Sequence, residues 1–314
     1  MRTSFSKMAG RSLIEVMIAL TLGMVILLAI SSLFVTNKQT YRTSDDKTRL
    51  DEEGYLALNL LSFHVRMAGY GSLMNATPKF SSAEADPLHP ELKVLPTAAV
   101  NTNMAANGVT ANAIRGCVGG FADTATVVTS IACVGGATSD ALLVRYVVDA
   151  INANVTAAGA PTDCLGAAVT VTPASGSVPA FFAVENRFFV QNNPITNVPE
   201  LYCRGNGGTV PGANLVNAAQ PITENVERMS ITYGLSTIGG QSANRFVPAN
   251  LVANWENVVS ARICLVVRSA NNGLATKAQS YRDCNDNLVL SPDLRLRGVF
   301  STTVALRNRT SGSL

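Results

Sequence analysis

At 314 residues the chain is long enough for one large domain or two small ones, with a core that needs no metal to hold it together. Hydrophobic residues make up 47% and charged residues 14%, against roughly 25% charged in soluble domains, and the formal net charge is only +3. Beyond residue 72 the lysines are Lys79, Lys93 and Lys277, and the arginines are scattered singly, which excludes a basic nucleic-acid groove.

The chain opens with a short polar leader, Met1 to Gly10, carrying Arg2 and Lys7. Leu13 to Val35 is almost wholly apolar, and its 23 residues exceed what a membrane-spanning helix needs. Positive residues before it and a polar exit after it predict a cytoplasmic N-terminus. A secretory signal peptide has a shorter apolar run and a small-residue exit, and neither is present. A plain anchor gives no reason for Glu15, the only charge between Arg11 and Lys38. A carboxylate costs about 2.5–3.5 kcal/mol at the centre of a spanning helix and less near its end, so it marks function by default.

Gly10-Arg-Ser-Leu-Ile-Glu15-Val-Met-Ile-Ala-Leu20 resembles the class III signal peptide of type IV prepilins. The resemblance implies cleavage between Gly10 and Arg11 by a prepilin peptidase, with methylation of the new terminus. Arg11 departs from the phenylalanine or methionine usual at mature position one. It also implies that Glu15 pairs with the terminal amine of a neighbouring subunit. Such pairing relieves two desolvation penalties together and selects the register between adjacent helices. The plainer reading of Glu15 is an edge carboxylate dipping into the headgroups. Arg11 lies four residues before Glu15 on the same helix face, where its guanidinium either pairs with Glu15 or reaches the headgroups.

Past the apolar run the pattern changes but the helix continues. Leu50, Gly54, Leu58, Leu61, Val65 and Ala68 recur at three- and four-residue steps, one face of a helix that packs on the protein's own globular domain. Gly69 and Gly71 supply a stop. A single helix from Ser12 to Ala68 would be roughly 85 Å long. The expected division is a leader over 1–10, a pilin helix over 11–71 and a globular β-rich domain over 72–314 outside the cytoplasm.

Residues 72–135, rich in Ala, Asn, Thr, Gly and Pro, read as a loop-dominated insertion with one or two short strands. Strand candidates follow at Ala141–Val148, Ala167–Thr172, Ala180–Val190, Val226–Leu235, Val258–Arg268 and Val299–Leu306. No αβ alternation is visible, so the sheet is antiparallel and the class α+β; the resemblance to prepilins implies a type IV pilin fold. Six cysteines (Cys117, Cys133, Cys164, Cys203, Cys264 and Cys284) without CxxC spacing argue for disulfides formed in an oxidising compartment. Short loop closure in a meandering domain favours sequential pairs, Cys117–Cys133, Cys164–Cys203 and Cys264–Cys284.

Several segments resemble the PilW family of minor pilins. They are Arg66-Met-Ala-Gly-Tyr-Gly71, Ser139-Asp-Ala-Leu-Leu-Val-Arg-Tyr146, Leu201-Tyr-Cys203, Glu224-Asn-Val-Glu227 with Ile231-Thr-Tyr-Gly234, Trp255 to Val259 with Ala261 to Arg268, and Leu306-Arg-Asn-Arg309. The resemblance implies a low-abundance subunit near the tip of a type IV pilus. It would help initiate assembly with other minor pilins and the major pilin, on an inner-membrane assembly platform of a Gram-negative bacterium, in support of twitching motility or cell adhesion. The globular domain would be periplasmic before assembly and at the cell surface, in the fimbrium, afterwards. The alternative is a minor pseudopilin of a type II secretion system, and a third class is an adhesin working through residues 72–135.

Enzymatic readings are weak, and no catalytic residue, cofactor or metal is expected. Gly205-Asn-Gly-Gly208 lacks the lysine-serine pair and following helix of a phosphate cradle and reads as a surface turn. Asp283, Asn285 and Asn287 alternate as calcium ligands do, but without the glycine and distal glutamate of an EF-hand loop. His64 falls on the helix near the membrane and His89 in a proline-flanked loop, which leaves no triad. Tyr41, Tyr55 and Tyr70 read as packing residues.

Overall fold

The computed structural model describes residues 12–70, 113–136, 138–172, 180–210, 212–236 and 242–310. Helix α1, Leu13–Met67, is 55 residues long. The chain divides into two compact units, Met1–Thr48 and Arg49–Leu314. The first holds the apolar part of α1. The second holds Arg49–Met67 of α1 and all the strands described.

The strands are β1 Ile114–Cys117, β2 Ala141–Val148, β3 Val171–Thr172, β4 Phe181–Asn192, β5 Pro199–Gly205, β6 Gln220–Glu224, β7 Val226–Leu235, β8 Arg245–Pro248, β9 Val258–Arg268, β10 Ser280–Arg282, β11 Leu288–Leu290 and β12 Arg297–Ala305, followed by a short helix α2, Arg307–Thr310. One sheet has the order β1-β2-β4-β5-β6 with β3 on β4, and a second the order β12-β9-β7-β8. β10 and β11 form a separate hairpin. All the pairings described are antiparallel.

The main core is built by α1 and both sheets. Leu50, Ala57, Leu58, Leu61, Val65 and Ala68 of α1 meet Leu142, Val144 and Phe188 of the first sheet and Met229, Ile231, Ile263 and Leu265 of the second. These α1 residues follow the helical period, so one face enters the core while Leu56 and Phe63 stay exposed. Gly54 permits a close approach, because a Cβ there would lie 2.4 Å from the Phe300 ring of β12. Tyr55 meets the same ring edge-on at 5.2 Å. A smaller core on the other face of the first sheet gathers Cys117, Phe121, Val128, Ile131, Leu143, Phe189 and Tyr202. β2 is therefore buried on both faces, which explains why it reads as a continuous apolar run rather than an alternating one.

Three expected strands, Ala141–Val148, Val226–Leu235 and Val258–Arg268, have the expected limits. The expected strand Ala180–Val190 runs on to Asn192. The expected strand Ala167–Thr172 shrinks to two residues, since Ala168 bridges back to Thr162 in a turn. The insertion has one strand, β1, among its described residues, and residues 71–112 lie outside them.

Candidate assembly site

The carboxylate singled out by the sequence lies in the first turn of α1. The amides of Glu15 and Val16 both donate to the Ser12 carbonyl, at 3.0 and 3.2 Å, which opens the helix at this point. A carboxylate there complements the positive end of the helix dipole. Around it Leu13, Ile14, Met17, Ile18 and Leu20 are all more than half exposed, and the apolar face continues exposed through Val35. The hydroxyls along this stretch turn inward: Thr21 Oγ1 donates to Ile18 O at 2.9 Å, Ser32 Oγ to Ala29 O at 2.8 Å and Thr36 Oγ1 to Ser32 O at 2.9 Å. In hydrocarbon these bonds satisfy groups that would otherwise be orphaned. Glu15 differs from these three residues, since its carboxylate cannot bond back to a carbonyl and has no side-chain partner among the described residues. Gly10 and Arg11 lie outside the described residues.

The other end of α1 is tied on two sides. Gly69, with φ 76°, donates its amide to Arg145 O of β2 at 2.9 Å, and the amide of Val147 donates to Tyr70 O at 3.0 Å. Asn308 of α2 donates through Nδ2 to the carbonyls of Arg66 at 3.0 Å, Met67 at 3.4 Å and Ala68 at 3.5 Å. A side chain more than two hundred residues away thus caps the last turn of the helix. Sequence reasoning placed Asn308 in a family-like ending but gave it no task.

His64 lies on α1 as expected. It is buried in the main core, where Nδ1 meets the Tyr146 hydroxyl at 2.9 Å and the Asn186 amide nitrogen at 3.2 Å. Asn186 Oδ1 accepts from the Cys164 amide at 3.1 Å, so its nitrogen must face His64 as a donor. Nδ1 therefore accepts, and the neutral ring carries its proton on Nε2. Burial pushes its pKa from 6.5 down to about 4. Burial likewise raises that of the Tyr146 hydroxyl.

Charged residues also line the covered face of the first sheet. Arg145 Nε lies 3.2 Å from Glu185 Oε2, and Arg187 donates through Nε to Glu185 Oε1 at 2.8 Å. Arg187 and Arg204 both grip Thr124, through its carbonyl and its hydroxyl at 2.9 Å each, which fastens the segment after β1 over the strands. The cavity beside Arg145 and Glu185 measures about 30 Å³, room for about one water. Among the described residues no group of His, Cys, Asp or Glu is arranged to hold a metal ion.

Disulfides join Cys117 to Cys133, Cys164 to Cys203 and Cys264 to Cys284, with Cα separations of 5.2, 6.6 and 5.8 Å. The turn at Gly205–Gly208 is not the surface feature expected. Gly205 and Gly207 are buried against Asp163, whose Oδ2 accepts the Gly207 amide at 2.8 Å and whose Oδ1 accepts those of Leu165 and Ala167 at 2.9 and 3.0 Å. A Cβ at Gly205 would fall 2.1 Å from that carboxylate. The alternating Asp283, Asn285 and Asn287 form the tip of the β10–β11 hairpin, with Asp283 Oδ1 accepting the amides of Asn285 and Asn287 at 2.9 Å each. Those amides explain the lowered pKa of Asp283. Of the three tyrosines, Tyr55 meets the Phe300 ring but is 59% exposed, Tyr41 is 77% exposed and Tyr70 is 38% exposed.

A long helix with an exposed apolar segment, continuing as the spine of an antiparallel β domain, defines the α+β class of pilin-like subunits. Residues 187–308 match the model of PilW, the type IV pilus-assembly protein W family, and over that stretch the chain is similar to type IV pilus-assembly proteins. The matched stretch runs from Arg187 in β4 to Asn308 in α2 and leaves Glu15 outside it. Comparison with curated proteins and with solved structures gave no match.

Proposed function

We propose that the chain is a minor pilin, a structural subunit rather than an enzyme. It is made as a prepilin, cut between Gly10 and Arg11 and held in the inner membrane by Leu13–Val35. Through Glu15 it enters a type IV pilus near the tip, where with other minor pilins it helps initiate assembly and supports motility or adhesion. The match of residues 187–308 to the pilus-assembly family carries this reading. The exposed apolar segment with an unpaired carboxylate in its first turn supports it.

The test is incorporation into sheared pili. Wild-type chain should appear in the sheared fraction with Arg11 as its first residue, and Glu15→Val should leave it in the membrane fraction. Retention of the leader in assembled protein would sink the prepilin step. A deletion strain that keeps its pili and loses protein secretion would point instead to a pseudopilin.

A further inference from the structure

Two Asn-Gly pairs lie among the described residues, Asn206-Gly207 and Asn272-Gly273, and the fold treats them in opposite ways. Asparagine before glycine has an intrinsic reaction open to it. The next amide nitrogen, unshielded by a side chain, can attack the asparagine Cγ and close a five-membered imide.

At Asn206 every group needed for that step is committed elsewhere. Nδ2 donates to Ala183 O at 2.8 Å, Oδ1 accepts the Glu185 amide at 3.0 Å, and the Gly207 amide points at Asp163 Oδ2 at 2.8 Å. The would-be nucleophile is turned away from the side chain it would attack. Gly207 is buried as well.

Asn272 presents the reverse arrangement on the segment between β9 and β10. Both residues are exposed, Gly273 has φ 81°, and no atom lies within 4 Å of where its Cβ would be. The Gly273 amide sits 2.9 Å from the Oδ1 of Asn272 itself, so the attacking nitrogen is held at the carbonyl it must reach. Leu294 N donates to the same oxygen at 3.1 Å. That donor remains in place when Gly273 gives up its proton, and it faces the atom on which negative charge develops. Nδ2 has no hydrogen-bond partner among the described residues and opens to solvent.

We propose that Asn272 is a self-modifying site that deamidates in the folded protein, while Asn206 is protected. Solvent base removes the Gly273 amide proton, and the nitrogen pair forms a bond to Cγ. The Cγ–Nδ2 bond breaks, and Nδ2 takes up a proton and leaves as ammonia. Water then opens the imide at either carbonyl, leaving aspartate or isoaspartate at position 272. The Leu294 amide can donate to the new carboxylate as it did to the amide oxygen. Arg295, whose Nη1 donates to Ser269 O at 2.8 Å and to Ala270 O, lies one residue beyond that donor. The product is a surface that has gained a negative charge without losing its fold.

Peptide mapping by mass spectrometry of the full chain in detergent micelles, incubated in heavy-oxygen water, tests this. The peptide bearing position 272 should gain heavy oxygen and isoaspartate at a rate within a few-fold of the denatured chain, while that bearing Asn206 should lag by about tenfold or more until denaturant is added. Asn272→Gln, which closes the ring poorly, should abolish the first signal and leave the second unchanged. Asn272→Asp should melt at the wild-type temperature. Equal rates at the two sites in the folded protein, or protection of Asn272 as strong as that of Asn206, would overturn the proposal.

Discussion

The two ends of α1 use apolar residues for different purposes. From Leu13 to Val35 nearly every position is apolar and the large side chains are exposed, whereas from Leu50 to Ala68 the apolar residues keep to one face and are buried. Composition alone reads both as hydrophobic helix. Periodicity separates them, because only a side chain that repeats every three or four residues can serve a core on one side and water on the other. The uninterrupted run is suited to surroundings that are apolar all round, and there a single carboxylate such as Glu15 stands out as a specific demand. In the second stretch the stability of the domain resides in packing.

The largest expected effect breaks that second stretch. Leu61 is fully buried among both sheets, so Leu61→Ala should lower unfolding free energy by about 2–5 kcal/mol. The readout is denaturation followed by Trp255, the one tryptophan, which packs edge-on at 4.9 Å against Tyr233. Leu27→Ala, at a position 66% exposed, should leave the same transition unchanged. Equal losses from both would mean that the apolar run also supports the domain.

His64 sharpens the comparison through pH. Its folded pKa of about 4 lies below the 6.5 of the unfolded chain, so the unfolded state takes up a proton first as pH falls. Stability from this group is complete above 6.5 and is lost progressively down to about 4. The full window is worth about 3 kcal/mol at 1.36 kcal/mol per pH unit. Burial raises the carboxyl pKa values of Glu53 and Asp140, and these groups act in the opposite sense. The diagnostic is therefore the difference between wild type and His64→Gln, whose melting temperature should lose this part of its acid sensitivity. An unchanged slope would show that His64 is not the buried neutral ring described.

At the C-terminal end of α1, Asn308→Ala should cost about 1 kcal/mol, because three helix carbonyls lose their side-chain donor. Hydrogen exchange should quicken in the last turn of α1 and not in β9. This tie also marks a limit of reading the sequence. The helix, its buried face and the strands β2, β7 and β9 were legible because period and β-branched runs are local signals. Asn308 was not, since nothing near it in sequence mentions Arg66. β5 and β6 were missed for a related reason. Pro199-Glu-Leu-Tyr-Cys-Arg-Gly205 alternates poorly because both of its faces are covered, and Pro221 in β6 argues against a strand unless the strand lies at an edge, as β6 does. Glu185 and Arg187 of β4 are both buried, although such charged residues are mostly exposed, and nothing local in the sequence marks them as paired.

The smallest effect is expected where polarity is most out of place. Thr21 lies in the apolar run, but its hydroxyl already donates to Ile18 O. Thr21→Val keeps the volume and removes both the hydroxyl and its need for a partner, and the helix carbonyl retains its backbone role. The change should stay within about 0.5 kcal/mol, with pilus incorporation as in wild type. Thr21→Asp is the counterpart. A carboxylate cannot satisfy itself on a carbonyl, and it costs about 3 kcal/mol in a spanning helix, so the chain should be depleted from the membrane fraction. Together the pair isolates what makes Glu15 different: a charge that the helix cannot neutralise by itself. If Thr21→Val reduced incorporation as much as Glu15→Val, polar groups along the run would act collectively, and Glu15 would lose its special place.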